Sequence, residues 1–305
     1  MSALKKSIAA AASTLALASA AAQEISFVKL NPDITLRRMV VKNPAAKGTV
    51  LFLHGFPETM LTWCELALDL GRDYEVHAFD WPGYGQSSRP SADRFAYAPR
   101  DYAQVVKAYI DKAGIDKSKL VIYATDVGAL PPLLLALEQP DIAKKIIVGD
   151  FAPFDRPEYM SDRLRSLKAP QSAEATRNAI NQNRDEIVEN AFLRGLEAGE
   201  KFNVAADLKA DMRAGWTQGS LSTGDAFYHY YSHFTRDQRY FEANLARLKT
   251  PVQIVWGEKD IYIDKKMGEE FAAKSGSPLT VLPNLGHYLH LQAPQHTSRE
   301  IRAAF

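Results

Sequence analysis

The chain has 305 residues, of which 46% are hydrophobic and 24% are charged. These proportions are typical of a globular protein and exclude a disordered, collagen-like or coiled-coil chain. The 37 basic and 36 acidic residues nearly cancel, so the sequence gives no sign of a nucleic-acid or anionic-lipid partner. The single cysteine, Cys64, excludes an intrachain disulfide framework and any cysteine-based zinc site.

Residues 1–22 have the three parts of a secretory signal peptide. Lys5 and Lys6 give a positive start, an Ala/Leu-rich run follows, and the alanines at 20–22 fit the small-residue cleavage pattern before Gln23. We therefore expect export to a bacterial periplasm or secretion from the cell. No other stretch approaches about 18 consecutive apolar residues, so we expect no membrane span after cleavage.

Short apolar, β-branched runs alternate with helix-length stretches through most of the remaining chain. This alternation predicts βαβ units and a mostly parallel, buried sheet flanked by helices. The first two runs are joined by a short Asn-Pro-Asp turn and predict an antiparallel hairpin at the edge of the sheet. The predicted strands are 25–28, 36–41, 49–53, 75–79, 120–123, 145–148, 252–255 and 279–281, and the predicted helices include 100–113 and 129–138.

The alternation stops over residues 154–234, where amphipathic helical patterns occur and no strand-like run is found. We predict a helical cap over this segment, inserted between two parts of the sheet-bearing core at residues 23–153 and 235–305. Open α/β sheets bind ligands at the carboxyl ends of their strands. The cap is therefore expected to lie over a substrate site.

Two chemically informative motifs follow the third and fifth predicted strands. His54-Gly55-Phe56-Pro57-Glu58 has glycine where the chain must turn sharply, so the following N–H groups can point into a cavity, as in an oxyanion hole. Ala124-Thr125-Asp126-Val127-Gly128 has the pattern of a strand–turn–helix elbow, with aspartate at the position where serine hydrolases have serine. The alternatives are a plain turn for the first motif and a helix N-cap for the aspartate.

Two further motifs follow the last two predicted strands. Gly257-Glu258-Lys259-Asp260 presents an acid, and Asn284-Leu285-Gly286-His287 presents a histidine. The order nucleophile, acid, histidine is that of α/β hydrolases and differs from the chymotrypsin and subtilisin orders. Asp150, after the sixth predicted strand, is an alternative acid, although the turn that carries Asp260 is the stronger match.

On these motifs the chain resembles the α/β-hydrolase superfamily, and within it the Asp-nucleophile branch of epoxide hydrolases and haloalkane dehalogenases. The resemblance covers most of residues 35–150 and 235–295. It implies an α/β-hydrolase fold with a helical cap and a catalytic set of Asp126, Asp260 and His287. It implies no cofactor and no metal.

The resemblance also implies the role of two loops. The loop that begins at His54 is similar to the epoxide hydrolase oxyanion loop, which implies a cis peptide bond between Phe56 and Pro57. The backbone N–H groups of Phe56 and Val127 would form the oxyanion hole. The turn at residues 80–87, Asp-Trp-Pro-Gly-Tyr-Gly-Gln-Ser, is similar to the family's D-x-x-G-x-G-x-S turn and is interpreted as scaffolding.

The end of the cap resembles the segment in which many epoxide hydrolases carry a tyrosine that donates a proton to the opening ring. That alignment selects Tyr231, with Tyr230 as the alternative, and Ser232 stands where the family usually has arginine. A second donor earlier in the cap has no convincing match, and Tyr159 and Asn178 are the suggestions that remain.

Aspartate in place of serine determines the chemistry that we expect. A carboxylate with a reference pKa of about 3.9 is ionised at neutral pH and attacks saturated carbon without help from a base. The product is an alkyl ester, which a water activated by histidine then hydrolyses. Epoxides and carbon–halogen bonds are therefore the expected substrates, whereas peptides, lipids and ordinary esters are not.

The residue after the nucleophile favours epoxides over halides. The dehalogenases that the chain resembles usually have tryptophan there, and fluoroacetate dehalogenases have arginines, but this chain has Val127 after Asp126. We expect an exported epoxide hydrolase that acts on an apolar small-molecule epoxide. A haloalkane dehalogenase and a catalytically silent ligand-binding homologue are the alternatives, and the sequence does not indicate the oligomeric state.

Overall fold

The computed structural model describes residues 22–305, so the predicted signal peptide lies outside the described residues except for Ala22. All eight predicted strands are present and lie in one sheet. The strands are β1 (Gln23–Lys29), β2 (Thr35–Val41), β3 (Thr49–Leu53), β4 (Glu75–Phe79), β5 (Leu120–Thr125), β6 (Lys145–Gly149), β7 (Val252–Gly257) and β8 (Leu279–Leu282).

The sheet has the order β1-β2-β4-β3-β5-β6-β7-β8. β2 is antiparallel to both of its neighbours, so β1 and β2 form the predicted edge hairpin. All other neighbouring strands are parallel. The central β5 is buried along its whole length, because helices cover both faces of the sheet. The α/β fold class predicted from the sequence is confirmed.

Helices follow most of the strands and bracket the sheet. The predicted helix 100–113 is observed as Pro99–Ala113, and Gly114 ends it with a φ of 67°. The helices are α1 (Cys64–Leu70), α2 (Pro99–Ala113), α3 (Leu130–Glu138), α4 (Asp162–Lys168), α5 (Ala173–Gln182), α6 (Arg184–Asn190), α7 (Ala206–Trp216), α8 (Thr223–Ala243), α9 (Lys266–Ser275), α10 (Leu289–Gln292) and α11 (Pro294–Ala303). Within residues 22–305 no helix is both long and apolar enough to cross a bilayer.

The segment between β6 and β7 contains α4 to α8 and no strand. Its last helix continues to Ala243, so residue 234, where we placed the end of the cap, lies inside a helix. An amphipathic helix need not stop at a domain boundary, because one end can pack on the cap while the other packs on the core.

Two apolar clusters lie on opposite faces of the sheet. One contains Phe52 and Trp63 on the side of α1 and α11. The other contains Leu51 of β3 together with cap residues such as Phe227 and Trp216. Because cap and core share this second cluster, the cap is held against the carboxyl ends of the strands, where the predicted site residues lie.

Candidate active site

Asp126 lies at the turn between β5 and α3, as the first residue of a short 3-10 turn that ends at Gly128. Its φ is 51°, a left-handed conformation that non-glycine residues rarely adopt. A Cβ at Gly128 would be 2.6 Å from the backbone oxygen of His54 and 2.7 Å from that of Leu53. The turn therefore requires a residue without a side chain there, and it presents the Asp126 carboxylate at a pocket beneath the cap.

The loop after β3 holds one oxygen of this carboxylate. The backbone N–H of Phe56 donates to Asp126 Oδ1 at 2.7 Å. The Phe56–Pro57 peptide bond is cis, as the resemblance implied. A Cβ at Gly55 would be 2.6 Å from Asp126 Cβ, so glycine permits the close approach of the loop. Val127 follows Asp126 in the turn, as the second predicted oxyanion residue, and is buried.

A buried contact between Glu58 and His290 supports the same loop on the side away from Asp126. The Gly55 N–H donates to Glu58 Oε2 at 2.9 Å, and Glu58 Oε1 lies 2.7 Å from His290 Nε2. Burial alone would raise the pKa of Glu58, but His290 and the Thr62 hydroxyl outweigh burial and lower it to about 2. No sequence motif connects His290 with Glu58, which is 232 residues away.

The loops after β7 and β8 bring Asp260 and His287 together. His287 Nδ1 lies 2.8 Å from Asp260 Oδ2, and the other Asp260 oxygen accepts the N–H groups of Tyr262 and Ile263. His287 Nε2 lies 3.6 Å from Asp126 Oδ2. Burial disfavours the imidazolium, but the carboxylates of Asp260 and Asp126 outweigh it and raise the pKa of His287 well above its usual range.

Asp150 lies beside this pair but makes a different contact. Its Oδ1 accepts the backbone N–H of Gly257 at 2.9 Å, and its Oδ2 has no hydrogen-bond partner among the described residues. The acid bonded to His287 is therefore Asp260. Asp150, Asp260 and His287 are close enough together to be considered as metal ligands. However, two ligands of one tetrahedral zinc ion lie about 3.4 Å apart, given bond lengths near 2.1 Å. The 2.8 Å contact between His287 and Asp260 is instead a direct hydrogen bond.

The two candidate tyrosines of α8 are both buried and have different environments. The Tyr230 hydroxyl donates to the Val127 carbonyl oxygen at 3.1 Å and so fastens the cap to the elbow. The Tyr231 hydroxyl makes no hydrogen bond within residues 22–305. Burial and the charge of Asp126 raise the pKa of Tyr231 well above its usual range, so it keeps its proton.

Tyr84 is a further buried tyrosine near the nucleophile, in the turn that the sequence indicated as scaffolding. Its hydroxyl has no partner in the described part of the chain, and burial and the Asp126 charge raise its pKa. The two earlier suggestions for a second donor, Asn178 and Tyr159, are an exposed residue of α5 and a residue of a 3-10 turn. Like Tyr231 and Tyr84 they do not line the pocket, but Tyr231 and Tyr84 are buried in the field of the Asp126 charge. No sequence signal separates Tyr84 from an ordinary structural tyrosine.

The pocket above Asp126 and His287 is mainly apolar, with two basic side chains from the cap. Phe56 and Phe227 stack at its wall with ring centroids 4.0 Å apart. Arg163 and Arg194 contribute the basic groups, and no sequence motif selects them. The other lining residues are Leu164, Ile187, Ala191, Tyr262 and Tyr288.

Comparison with known proteins places this architecture in a family. Residues 48–294 match the family described as the alpha/beta hydrolase fold. The chain belongs to the α/β-hydrolase family. The order of elements and the positions of the strand-end loops agree with this membership.

The similar proteins have several activities. The chain is 26% identical to "Epoxide hydrolase 4" of Mus musculus over 270 residues, which is 84% of this chain and 72% of that protein. It is 22% identical to "Monoacylglycerol lipase ABHD6" of Mus musculus over 276 residues, 85% of this chain and 75% of that protein. The structure of haloalkane dehalogenase DbeA from Bradyrhizobium elkani has a TM-score of 0.73 at 20% identity, over 92% of this chain and 97% of that one.

Proposed function

We propose that this protein hydrolyses epoxides to vicinal diols through an ester of Asp126. The proposal rests on one observation: the two carboxylate oxygens of Asp126 have different contacts. Oδ1 accepts the Phe56 N–H at 2.7 Å, whereas Oδ2 lies 3.6 Å from His287 Nε2. One oxygen is thus ready to become an oxyanion, and the other is ready to attack a substrate.

In the first step Asp126 Oδ2 attacks a carbon of the epoxide ring. A bond forms between Oδ2 and that carbon, the carbon–oxygen bond of the ring breaks, and its electron pair moves to the ring oxygen. Tyr231 supplies the proton that this oxygen needs. Its hydroxyl has no other partner among the described residues, and it lies in the field of the Asp126 carboxylate.

In the second step water hydrolyses the ester. His287 takes a proton from the water, whose oxygen attacks the Asp126 carboxyl carbon, and negative charge develops on Oδ1 opposite the Phe56 N–H. The ester bond then breaks, its electron pair moves to the alcohol oxygen, and His287 gives the proton it took from water to that oxygen, so that the diol leaves. The proton released when Asp126 ionises again restores Tyr231, so one epoxide and one water give one diol.

Ester formation also prepares His287 for this role. In the free enzyme two carboxylates raise the pKa of His287. Alkylation neutralises Asp126 and removes one of the two charges, so the pKa of His287 falls when a base is needed. The hydrogen-bonded pair of Asp260 and His287, here called the relay, can therefore take a proton from water once Asp126 has reacted.

Halide release has less support at this site. A departing halide needs donors such as an indole N–H, and the chain has four tryptophans. The indoles of three, Trp81, Trp216 and Trp256, donate to other groups of the protein. Trp63 belongs to the cluster on the opposite face of the sheet. No indole therefore serves the pocket within residues 22–305.

The decisive experiment is intact-protein mass spectrometry of His287→Gln after incubation with terminal epoxides and bromoalkanes. This variant retains Asp126 but lacks the base, so we expect an added epoxide mass on the peptide that contains Asp126. His296→Gln is the matched control, because His296 pairs with Glu300 on α11, and it should turn over without accumulating an adduct.

Three outcomes separate the candidate functions. An epoxide adduct that is absent from a second variant, His287→Gln with Asp126→Ser, supports the epoxide hydrolase. An adduct from bromoalkanes alone favours the dehalogenase. If no adduct forms and the wild type binds epoxides without turnover, the protein is a ligand-binding homologue and the proposed reaction is wrong.

We also propose that the protein acts after export and without a macromolecular partner. The basic start, apolar run and alanine-rich end of residues 1–22 support export. Expression of the full chain in a Gram-negative host, followed by fractionation and N-terminal sequencing, tests this. A mature N-terminus at Gln23 in the periplasm supports the proposal, and an uncleaved cytoplasmic chain contradicts it.

A further inference from the structure

The relay contains two carboxyl groups where one is needed. Asp260 already bonds to His287 at 2.8 Å, yet Asp150 follows β6 at the same end of the sheet, and its side chain is fully buried. One ligand atom from each of Asp150, Asp260 and His287 lies within 4.8 Å of the others. Two aspartates therefore face one histidine.

The two carboxyl groups have unequal sets of donors. Asp260 receives three: the His287 ring and two backbone N–H groups at 2.7 and 3.1 Å. Within residues 22–305, Asp150 receives one, the Gly257 N–H, and its Oδ2 is buried without a partner. A buried carboxylate oxygen without a donor is costly, whereas a protonated one can donate to a neighbouring carboxylate.

The charges at the site favour the same arrangement. Two carboxylates close together in a buried site cannot both ionise easily, as in other carboxyl pairs that share one proton. Burial and the charge of Asp260 together raise the pKa of Asp150 well above its usual range. Asp260, which is bonded to the histidine, is the better-stabilised anion of the two.

We propose that Asp150 is a positioning residue of the relay, a neutral carboxylic acid whose Oδ2 hydroxyl donates a hydrogen bond to Asp260. The pair carries one negative charge and one shared proton. The added donor holds the Asp260 carboxylate in the orientation that receives His287 Nδ1. Its effect on catalysis rests on the proposed function, whereas the protonation state of Asp150 does not.

Backbone conformation makes Asp150→Asn an informative substitution. Asp150 has a φ of 51°, a region that asparagine adopts about as readily as aspartate. An asparagine can accept the Gly257 N–H through its oxygen and donate to Asp260 through its amide, and so imitates a protonated Asp150. Asp150→Ala removes both interactions at the same position.

The first measurement needs no substrate. An infrared difference spectrum of the full-length protein, wild type minus Asp150→Asn at neutral pH, should contain the carbonyl band of a protonated carboxylic acid that shifts in heavy water. A difference spectrum with only carboxylate bands would overturn the proposal. Because this measurement is independent of turnover, it still tests Asp150 if the epoxide hydrolase function is wrong.

The second measurement separates positioning from charge. Asp150→Asn should hydrolyse the alkyl-enzyme at close to the wild-type rate. Asp150→Ala should be slower by about 10- to 100-fold, the range that corresponds to one hydrogen bond to a charged group. Both variants should form the ester normally, which shows that they are folded. Equal loss in both variants would mean that Asp150 acts as an ion, and no loss in Asp150→Ala would mean that it has no role.

Discussion

Gly55→Ala is expected to disable the oxyanion hole with little change elsewhere. The new methyl carbon would lie 2.6 Å from Asp126 Cβ and 2.8 Å from Asp126 Oδ1, well inside van der Waals contact. These two atoms of Asp126 cannot move away easily, because its side chain is short and its backbone is held at a φ of 51°. The loop must therefore withdraw, and the Phe56 N–H leaves the oxygen that it now contacts at 2.7 Å.

The size of the effect follows from the loss of that donor. Removing one donor from an oxyanion hole typically lowers kcat by about 10²- to 10³-fold. The donor matters most when charge develops on Oδ1, so the loss should fall on hydrolysis of the ester and less on its formation. Crowding in a packed site also costs about 1–3 kcal/mol of folding free energy, which lowers the melting temperature by a few degrees.

Single-turnover kinetics with a chromogenic epoxide, combined with mass spectrometry of the adduct, separate the two steps. Gly55→Ala should accumulate the ester on Asp126 that the wild type hydrolyses quickly. Gly199→Ala is the matched control, because a Cβ at that exposed position would have no atom of the described residues within 4 Å apart from its chain neighbours. A Gly55→Ala variant that hydrolyses the ester at the wild-type rate would refute the assignment of Phe56 to the oxyanion hole.

Three other predictions use the same preparations. Tyr231→Phe should slow ester formation by about 10²-fold or more while leaving hydrolysis of a preformed ester unchanged, and equal slowing of both steps would contradict its role as the ring-opening acid. Glu58 has a folded pKa of about 2. Its contribution, about 3 kcal/mol, is therefore present above the unfolded pKa near 4.5 and is lost as the pH falls toward 2. Glu58→Gln should accordingly unfold more easily than the wild type at pH 7 but not near pH 2 in denaturant titrations. Arg163 lines the pocket and makes no ion pair among the described residues, so Arg163→Gln should raise KM by about 10-fold for a carboxylate-bearing epoxide but not for its neutral analogue. Arg165→Gln, on the same helix and outside the pocket, should change neither KM.

The parts of the site that the sequence predicts are those fixed by local backbone chemistry. Each motif follows a strand, and parallel strands end at one edge of the sheet, so motifs such as those at Phe56 and Asp126 must converge. Positions 55 and 128 need glycine because other atoms of the chain approach the backbone closely there. Such a requirement can be recognised as a motif in the sequence. The strand runs were equally clear, because strands buried on both faces are continuously apolar.

Contacts between side chains that are far apart in the sequence cannot be predicted from such local motifs. The turn motif favours Asp260 as the acid, but Asp150 also follows a strand, and the side-chain directions in the structure show which of them bonds to His287. Glu58 and His290 form their buried pair across most of the chain. The end of α8 is also not marked in the sequence, because its amphipathic pattern continues to Ala243 without a break.

Under the proposed function, the core and the cap contribute different groups to the reaction. In the proposed reaction the core supplies Asp126, the pair of Asp260 and His287, and the Phe56 N–H, and these groups form and hydrolyse the ester. The leaving group needs its own acid or donor, and Tyr231 on the cap helix α8 is the residue that we propose for this role. Its hydroxyl makes no hydrogen bond to any of residues 22–305 and lies in the field of the Asp126 carboxylate. Replacing Tyr231 should therefore change which bonds can be broken, whereas replacing His287 should change only whether the resulting ester is released.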